Sequence, residues 1–584
     1  MWRWGNYWSD DCAEHSITLY IGCYSGPLQE ALAIGFFVID VGISGPQNHI
    51  HRPHSDFGDI EAMNVRAYID EDAARQTVFS REVFTSNDLL LFAVLSVLRV
   101  SVVVWFLVHW LLPVEWWHGE APMFLAATFL LGTGVIGNHL RWAGLPAMRR
   151  PVTIKPRKHF RVAAVTTCVA DVEPREMIAA TLKALVSLDC VHDTWLLDEG
   201  DSAEMRELCR CLGARHFSRH RRVVYQTESG RFASRTKHGN YNAWLHEVGF
   251  RNYDILFAFD ADHVPISGYA SAVLGYFEDP QIAYAQAPQV YRNQDASLVA
   301  RGAAEETYAY YSATEMASYG MGQPVLTGCH SAHRLSALKE YGGFPDHTAE
   351  DLLQTVHYRR HGWQGVYVPE VLATGLAPED WSGYLNQQIR WARSVLDIKV
   401  RRLLASADPF WSRSPMEWLQ GFGYMQDALM GAGALLWFWV LLSAGVGRKT
   451  YDHLATPHLA ILLTVLIASD LFRQRFYLQP EKEAGVHWRA GLLRLAKWPF
   501  IWKAFWLVLR NQPFGYVVTP KNKAPNQRSR LMMPHGSVAF LTALAWGIGD
   551  FTHNARNASI HVVAALIVTL SLTLILTEAV DGCR

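Results

Sequence analysis

Asp254-Ile-Leu-Phe-Ala-Phe-Asp-Ala-Asp-His-Val-Pro265 is the stretch from which the fold of this chain is read. Bulky apolar residues run from Ile255 to Phe259 and stop at two carboxylates, Asp260 and Asp262, in Asp-x-Asp spacing. A short apolar run of this kind reads as a strand buried on both faces of a parallel sheet. Open α/β sheets bind ligands beyond the carboxyl ends of their strands. Two acids at that edge are costly unless a charged partner sits with them, and a hard divalent cation carrying substrate phosphates is the natural one.

Outward from this strand, residues 150–380 have ordinary charge density and alternate strand and helix patterns. Val162–Val169 reads as a strand, Met177–Val186 as a helix and Thr194–Leu197 as a second strand. That alternation predicts a parallel α/β sheet. Acids fall where its strands end: Asp171 and Glu173 after the first, Asp198 after the second, Asp260 and Asp262 after a later one. Loops following successive parallel strands converge on one edge, so all five are candidates for one pocket.

The flanks read as membrane. Half of the 584 residues are hydrophobic and only 18% are charged. Leu89–Leu112 and Met123–Leu140 are candidate spans before the α/β domain. Arg99 lies inside the first, which is expensive in lipid and predicts that it faces protein. The basic stretch from Arg141 to Arg161 places the following domain in the cytoplasm by the positive-inside rule. After it, Ala428–Val446, Leu459–Leu471, Val538–Gly549 and Ile560–Leu576 read as four more spans, about six in total. Leu492–Leu509, aromatic and basic, reads as an interfacial helix.

Composition excludes some classes. Lys plus Arg (53) nearly equals Asp plus Glu (54), so bulk charge gives no case for a nucleic-acid partner. Eight Cys without zinc-like spacing read as reduced thiols, Cys209-x-Cys211 included. Residues 1–15 show no cleavable signal pattern. Residues 1–85, with their His49, His51 and His54 patch, form a segment of unassigned role.

Three further motifs carry chemistry. Lys237-His-Gly-Asn-Tyr-Asn242 precedes the Asp-x-Asp strand; Lys237 is placed to neutralise a phosphate and Gly239 to allow close backbone approach. Ala349-Glu350-Asp351 precedes a helical pattern, where an acid serves either as a helix-dipole partner or as a general base. Gln387-Gln-Ile-Arg-Trp391 puts Gln387, Arg390 and Trp391 on one helix face. There the arginine can grip a diphosphate and the tryptophan can stack on a sugar. Tyr516-Val-Val-Thr-Pro-Lys521 alone reads as a short strand or loop.

In this order, together with Gln286-x-Pro-Gln289, these motifs resemble those of the processive family 2 glycosyltransferases of the cellulose synthase and curdlan synthase type. The resemblance covers roughly residues 85–580. It implies a GT-A-like cytoplasmic domain at 150–380, inserted between two transmembrane helices at 86–142 and a channel region at 426–584, with interfacial helices at 381–425 and a gating loop at about 511–525. Asp171 and Asp198 (with Glu173 nearby) would contact the nucleoside of a UDP-sugar. Lys237, Gln286, Gln387, Arg390 and Trp391 would line the diphosphate and the acceptor end. Asp260 and Asp262 would hold Mg²⁺ or Mn²⁺, Asp351 beside Glu350 would be the base, and Thr519 and Lys521 would close over the nucleotide.

The implied activity is inverting polymerisation of a UDP-sugar, UDP-glucose first, into a β-glucan that crosses the plasma (inner) membrane. The growing polysaccharide is then the acceptor, and a homo-oligomer or accessory subunits remain open as partners. Departures are the loss of the family's Thr before Glu350, Tyr516 in place of its Phe, and no room after the last span for a cyclic-di-GMP-binding barrel. Leu352, where chitin and hyaluronan synthases carry Arg, weighs against those products. A mannan synthase and a non-processive transferase making a glycolipid are the alternatives.

Overall fold

The computed structural model describes residues 80–112, 117–398, 415–512 and 530–581. Its centre is a seven-stranded sheet. In chain order its strands are β1 (Val162–Cys168), β2 (His192–Asp198), β3 (Arg215–Phe217), β4 (Ile255–Phe259), β5 (Ile282–Gln286), β6 (His330–Arg334) and β7 (Gln364–Tyr367), arranged β7-β5-β6-β4-β1-β2-β3. Every residue of β4 is buried. Ile255, Phe257 and Phe259 pack with Val162 and Tyr269 on one face, while Leu256 and Ala258 pack with Val165, Tyr241 and Trp244 on the other. Burial on both faces is why this strand reads as a continuous apolar run.

The sheet is mixed, against the expectation of a parallel one. β1 to β4 run parallel to one another, as do β5 and β7, but β6 runs antiparallel between β4 and β5. His330 faces Phe259 in this register, so β6 begins where β4 ends. The reversal brings the turn Thr327–Cys329 to the edge that carries the acids, with Asp260 N donating to the Cys329 carbonyl at 2.9 Å. A sequence run as short as His330–Arg334 carries no mark of strand direction.

Three described helices are long and apolar enough to cross a membrane: Ser86–Leu111, Gly119–Ala147 and Ala558–Val580. A fourth span results if Arg448–Leu454 and Pro457–Gln474, bent by 50°, count as one. Among the described residues, three or four spans stand against the expectation of about six. Met533–Phe551 is helical, with His535 and Asp550 near its two ends, and within Pro415–Ala444 the described apolar stretch is Ala428–Ala444.

Ser86–Leu111 starts at a full capping box, Thr85 and Asp88 each satisfying the other's backbone N–H. Arg99, inside this helix, is 2% exposed and donates to Asn138 Oδ1 at 2.5 Å while lying over the Trp142 ring. It faces protein, as its cost in lipid requires. Leu492–Leu509, read from sequence as interfacial, lies in the helix Trp488–Leu509, which packs its buried residues against the helices Leu298–Ala309 and Trp381–Leu396.

Candidate active site

The loops after β1, β2 and β4 and the turn before β6 meet at one sheet edge. Lys237 enters from the first turn of the helix Lys237–Trp244, which Thr236 caps by accepting from Gly239 N. Its Nζ lies 2.6 Å from Asp260 Oδ1, 2.7 Å from the Gly328 carbonyl and 3.5 Å from Glu350 Oε1. Burial alone would lower the lysine pKa, but Asp260 and Glu350 outweigh it and hold the ammonium well above its usual range.

Gly239 admits a neighbour other than the expected phosphate. A Cβ there would sit 2.2 Å from the Ala233 carbonyl and 2.7 Å from Arg219 Nη1. Its bare Cα lets the chain preceding Lys237 close onto the helix start.

The helix Glu350–Arg360 supplies Glu350 and Asp351 in its first turn. Asp351 Oδ1 accepts from Leu352 N at 2.8 Å. Its other oxygen faces Gly328, whose φ is +69° and where a Cβ would fall 2.8 Å from Asp351 Oδ2. Burial, then the Glu350 charge, push the Asp351 carboxyl up to about 7. A pocket lined by Lys237, Tyr241, Gly328, His333, Glu350 and Asp351 opens here.

The acids of the Asp-x-Asp motif have distinct surroundings. Asp260 pairs with Lys237, whereas Asp262 is 6% exposed and its Oδ1 lies 3.1 Å from His263 Nδ1. Donor atoms of Asp260, Asp262 and His263 lie within 4.8 Å of one another, a spacing that fits a divalent cation. Of these, the two carboxylates Asp260 and Asp262 would hold Mg²⁺ or Mn²⁺.

The other expected residues fall into two groups. Asp198, fully buried, accepts from Gly200 N at 2.9 Å and Ser202 N at 2.6 Å and lies 3.2 Å from His216 Nε2. Glu173 Oε2 accepts from Val169 N at 2.8 Å, and Asp171 is exposed on the same loop. Gln286 is fully buried and committed to backbone: its amide donates to the carbonyls of Ala287 and His330, and its Oε1 accepts from Thr327 N at 3.0 Å. It fixes the Thr327–Cys329 turn.

Gln387, Arg390 and Trp391 lie on the helix Trp381–Leu396, which Asp380 caps. Two contacts tie this helix to the segment leading into Asp351: Thr348 Oγ1 to Ser394 Oγ at 2.6 Å and His347 Nε2 to Asp397 Oδ2 at 3.2 Å. Thr519, Lys521 and residues 1–79 lie outside the described residues.

Sequence reasoning passed over two features. Arg219 is fully buried and forks onto Glu199 at 3.0 and 2.9 Å while donating to the carbonyls of Tyr225, Phe232 and Ala233. Its place in the run Arg219-His-Arg-Arg222 reads as a solvated charge cluster, although Glu199 directly after the strand-ending Asp198 was a visible partner. The second is Cys329-His330 beside His263, a thiol and two imidazoles distant in sequence and close in space.

Residues 161–394 match the family described as Glycosyltransferase like family 2. Over 310 residues, 48% of the chain, it is 26% identical to the cellulose synthase catalytic subunit [UDP-forming] of Xanthomonas axonopodis pv. citri (strain 306). Over 262 residues, 43% of the chain, it is 28% identical to the corresponding subunit of Pseudomonas fluorescens (strain SBW25). The chain spans 40% and 34% of those relatives' lengths. Among solved structures, a mannosyltransferase from Pyrobaculum calidifontis in complex with GDP-Man and Mn²⁺ overlays with a TM-score of 0.44 at 14% identity, covering 68% of this chain and 99% of that one. Glucosyl-3-phosphoglycerate synthase from Mycobacterium tuberculosis overlays with a TM-score of 0.29 at 14% identity, covering 41% and 79%. The chain thus carries a family 2 glycosyltransferase domain, homologous at low identity to cellulose-synthase-type enzymes and equipped with a candidate divalent-metal cluster.

Proposed function

We propose that the chain is a processive, inverting glycosyltransferase that builds a β-glucan from UDP-glucose and passes it through the membrane, with its catalytic domain on the cytoplasmic face of the plasma (inner) membrane. The observation that carries this reading is the meeting of Asp351, Lys237 and Asp260 on one sheet edge, joined through Glu350.

Asp351 is the general base. A carboxyl poised near neutrality takes the proton from an acceptor hydroxyl as that oxygen attacks the anomeric carbon. The attack is in line and the C–O bond to UDP breaks on the far side, so an α-linked donor yields a β-linked product. A divalent ion held by Asp260 and Asp262, when bound, neutralises charge developing on the diphosphate. Lys237 holds a positive charge at the same place. Arg390 grips the diphosphate and Trp391 stacks on the acceptor end. Asp198, with Asp171 and Glu173, forms the nucleoside side, and Thr519 and Lys521 contact the nucleotide. The Thr348–Ser394 contact couples the base to the helix that bears Gln387.

The test is incorporation of radiolabelled UDP-glucose, against UDP-GlcNAc, UDP-glucuronate and GDP-mannose, by membranes containing the chain with Mg²⁺ or Mn²⁺. Digestion of the product by linkage-specific β-glucanases follows. Insoluble polymer from UDP-glucose alone is the expected result. Incorporation from another donor alone overturns the substrate, and lipid-soluble short products alone overturn processivity.

A further inference from the structure

The edge that holds the acids also holds a set of donors of different chemistry. His263 directly follows Asp262, and Cys329 and His330 stand at the head of β6. One donor atom from each of His263, Cys329 and His330 lies within 4.8 Å of the others. The three residues are 2%, 2% and 0% exposed, so bulk solvent does not reach their polar atoms. Neither ring nitrogen of His330 nor Nε2 of His263 makes a well-formed hydrogen bond, and the polar group within reach of both rings is the Cys329 thiol. The two ring centroids lie 5.4 Å apart, tilted by 32°. Behind His263 stands the Asp262 carboxylate at 3.1 Å from Nδ1. This is the arrangement by which a carboxylate fixes a metal-bound histidine ring.

The donor set selects its ion. Mg²⁺ takes oxygen ligands and binds thiolate poorly. A thiolate with two imidazoles suits Zn²⁺ or another borderline-soft divalent ion. We propose that His263, Cys329 and His330 form a second cation site, chemically distinct from the Asp260–Asp262 pair, which takes a Zn²⁺-class ion.

Such an ion joins the loop after β4 to the start of β6. The turn it anchors is the one whose Gly328 carbonyl accepts from Lys237 and whose Cα lies against Asp351. The ion therefore holds the base and the lysine in place from behind and has no need to touch substrate. This inference is independent of the donor sugar and of processivity.

The test uses the full chain in detergent, stripped with a chelator and titrated with Co²⁺ alone, without nucleotide. The expected result is a thiolate-to-cobalt charge-transfer band saturating at about one equivalent, resistant to millimolar Mg²⁺ and bleached by Zn²⁺. Cys329→Ser and His330→Gln abolish the band, and Asp260→Asn keeps it. Absence of the band in the unmodified protein overturns the proposal without recourse to any variant. So does a band that survives in folded Cys329→Ser protein, or one that Mg²⁺ displaces.

Discussion

Lys237 and Asp260 form an ion pair, Nζ to Oδ1 2.6 Å, between a helix start and a strand end. The lysine already neutralises part of the acid site, so a divalent ion arriving at Asp260 and Asp262 must share the carboxylate with it. Removing the ammonium removes that competition and also the charge that would stabilise departing UDP. Lys237→Met is expected to bind Mn²⁺ roughly tenfold more tightly without nucleotide, since one unit charge a few ångströms away is worth on the order of 1 kcal/mol or more. Turnover is expected to fall about 10²–10³-fold. Calorimetric titration of Mn²⁺ beside an initial-rate assay checks both. Unchanged Mn²⁺ affinity would show that Lys237 does not face the metal.

Gly328 is required for two reasons that a single substitution tests together. Its φ of +69° disfavours any side chain, and a Cβ would press to 2.8 Å from Asp351 Oδ2. Gly328→Ala is expected to lower kcat by roughly 10–100-fold through displacement of the base, as small misplacements do. The stability cost is expected to exceed about 1 kcal/mol. UDP affinity should stay within about threefold, because the added Cβ meets Asp351 rather than Lys237. An alanine variant with wild-type kcat would remove the Gly328–Asp351 contact from the catalytic account.

The core strand and the acids at its end were legible because a two-sided buried strand has to be apolar throughout and Asp-x-Asp interrupts it abruptly. Lys237 and Glu350-Asp351 were legible as motifs, but nothing in them told that Lys237 would pair with Asp260 rather than stand free. Strand direction was not legible. Val162–Cys168 and His330–Arg334 are both short runs, and only the pairing of His330 with Phe259 shows that one is reversed. That reversal places Cys329 and His330 beside His263, and so hid their cluster from any reading by sequence spacing. The span count failed for another reason. Val538–Gly549 lies within the helix Met533–Phe551 between His535 and Asp550, the former 1% exposed and bonded to the Ala496 carbonyl, so the apolar stretch is shorter than a bilayer needs.

Arg219 organises the chain that delivers Lys237. Its guanidinium holds Glu199 with two nitrogens and the carbonyls of Tyr225, Phe232 and Ala233 with others. Lysine has no planar fork and cannot meet these acceptors at once. Arg219→Lys is expected to cost about 3 kcal/mol or more, in line with breaking a buried hydrogen-bonded pair. The UDP-sugar KM is expected to rise as Lys237 loses its fixed approach. Denaturation in detergent and substrate-saturation curves read the two effects. A lysine variant of wild-type stability would show that Glu199 and the carbonyls are satisfied by water.

The Asp351 carboxyl sets a pH dependence whose two readouts run in opposite directions. Burial and the Glu350 charge raise its pKa to about 7 from an ordinary carboxylate value. The base form is deprotonated, so kcat/KM is expected to fall with decreasing pH through about 7, one proton being taken up. Folding has the contrary sign. A group whose folded pKa is raised binds more protons folded than unfolded. Its protonated form therefore favours the native state at low pH, and that contribution is lost as pH rises from the ordinary carboxylate range through about 7. Asp351→Asn, which stays neutral, is expected to abolish polymer synthesis at every pH. It is also expected to raise Tm relative to the parent at pH 8 while leaving the two alike near pH 4. A Tm difference independent of pH would mean that Asp351 is ionised without penalty in the native state. A kcat/KM profile flat between pH 5 and 8 would remove Asp351 as the base. The two measurements are separable, because Tm is read without substrate and the rate profile without any variant.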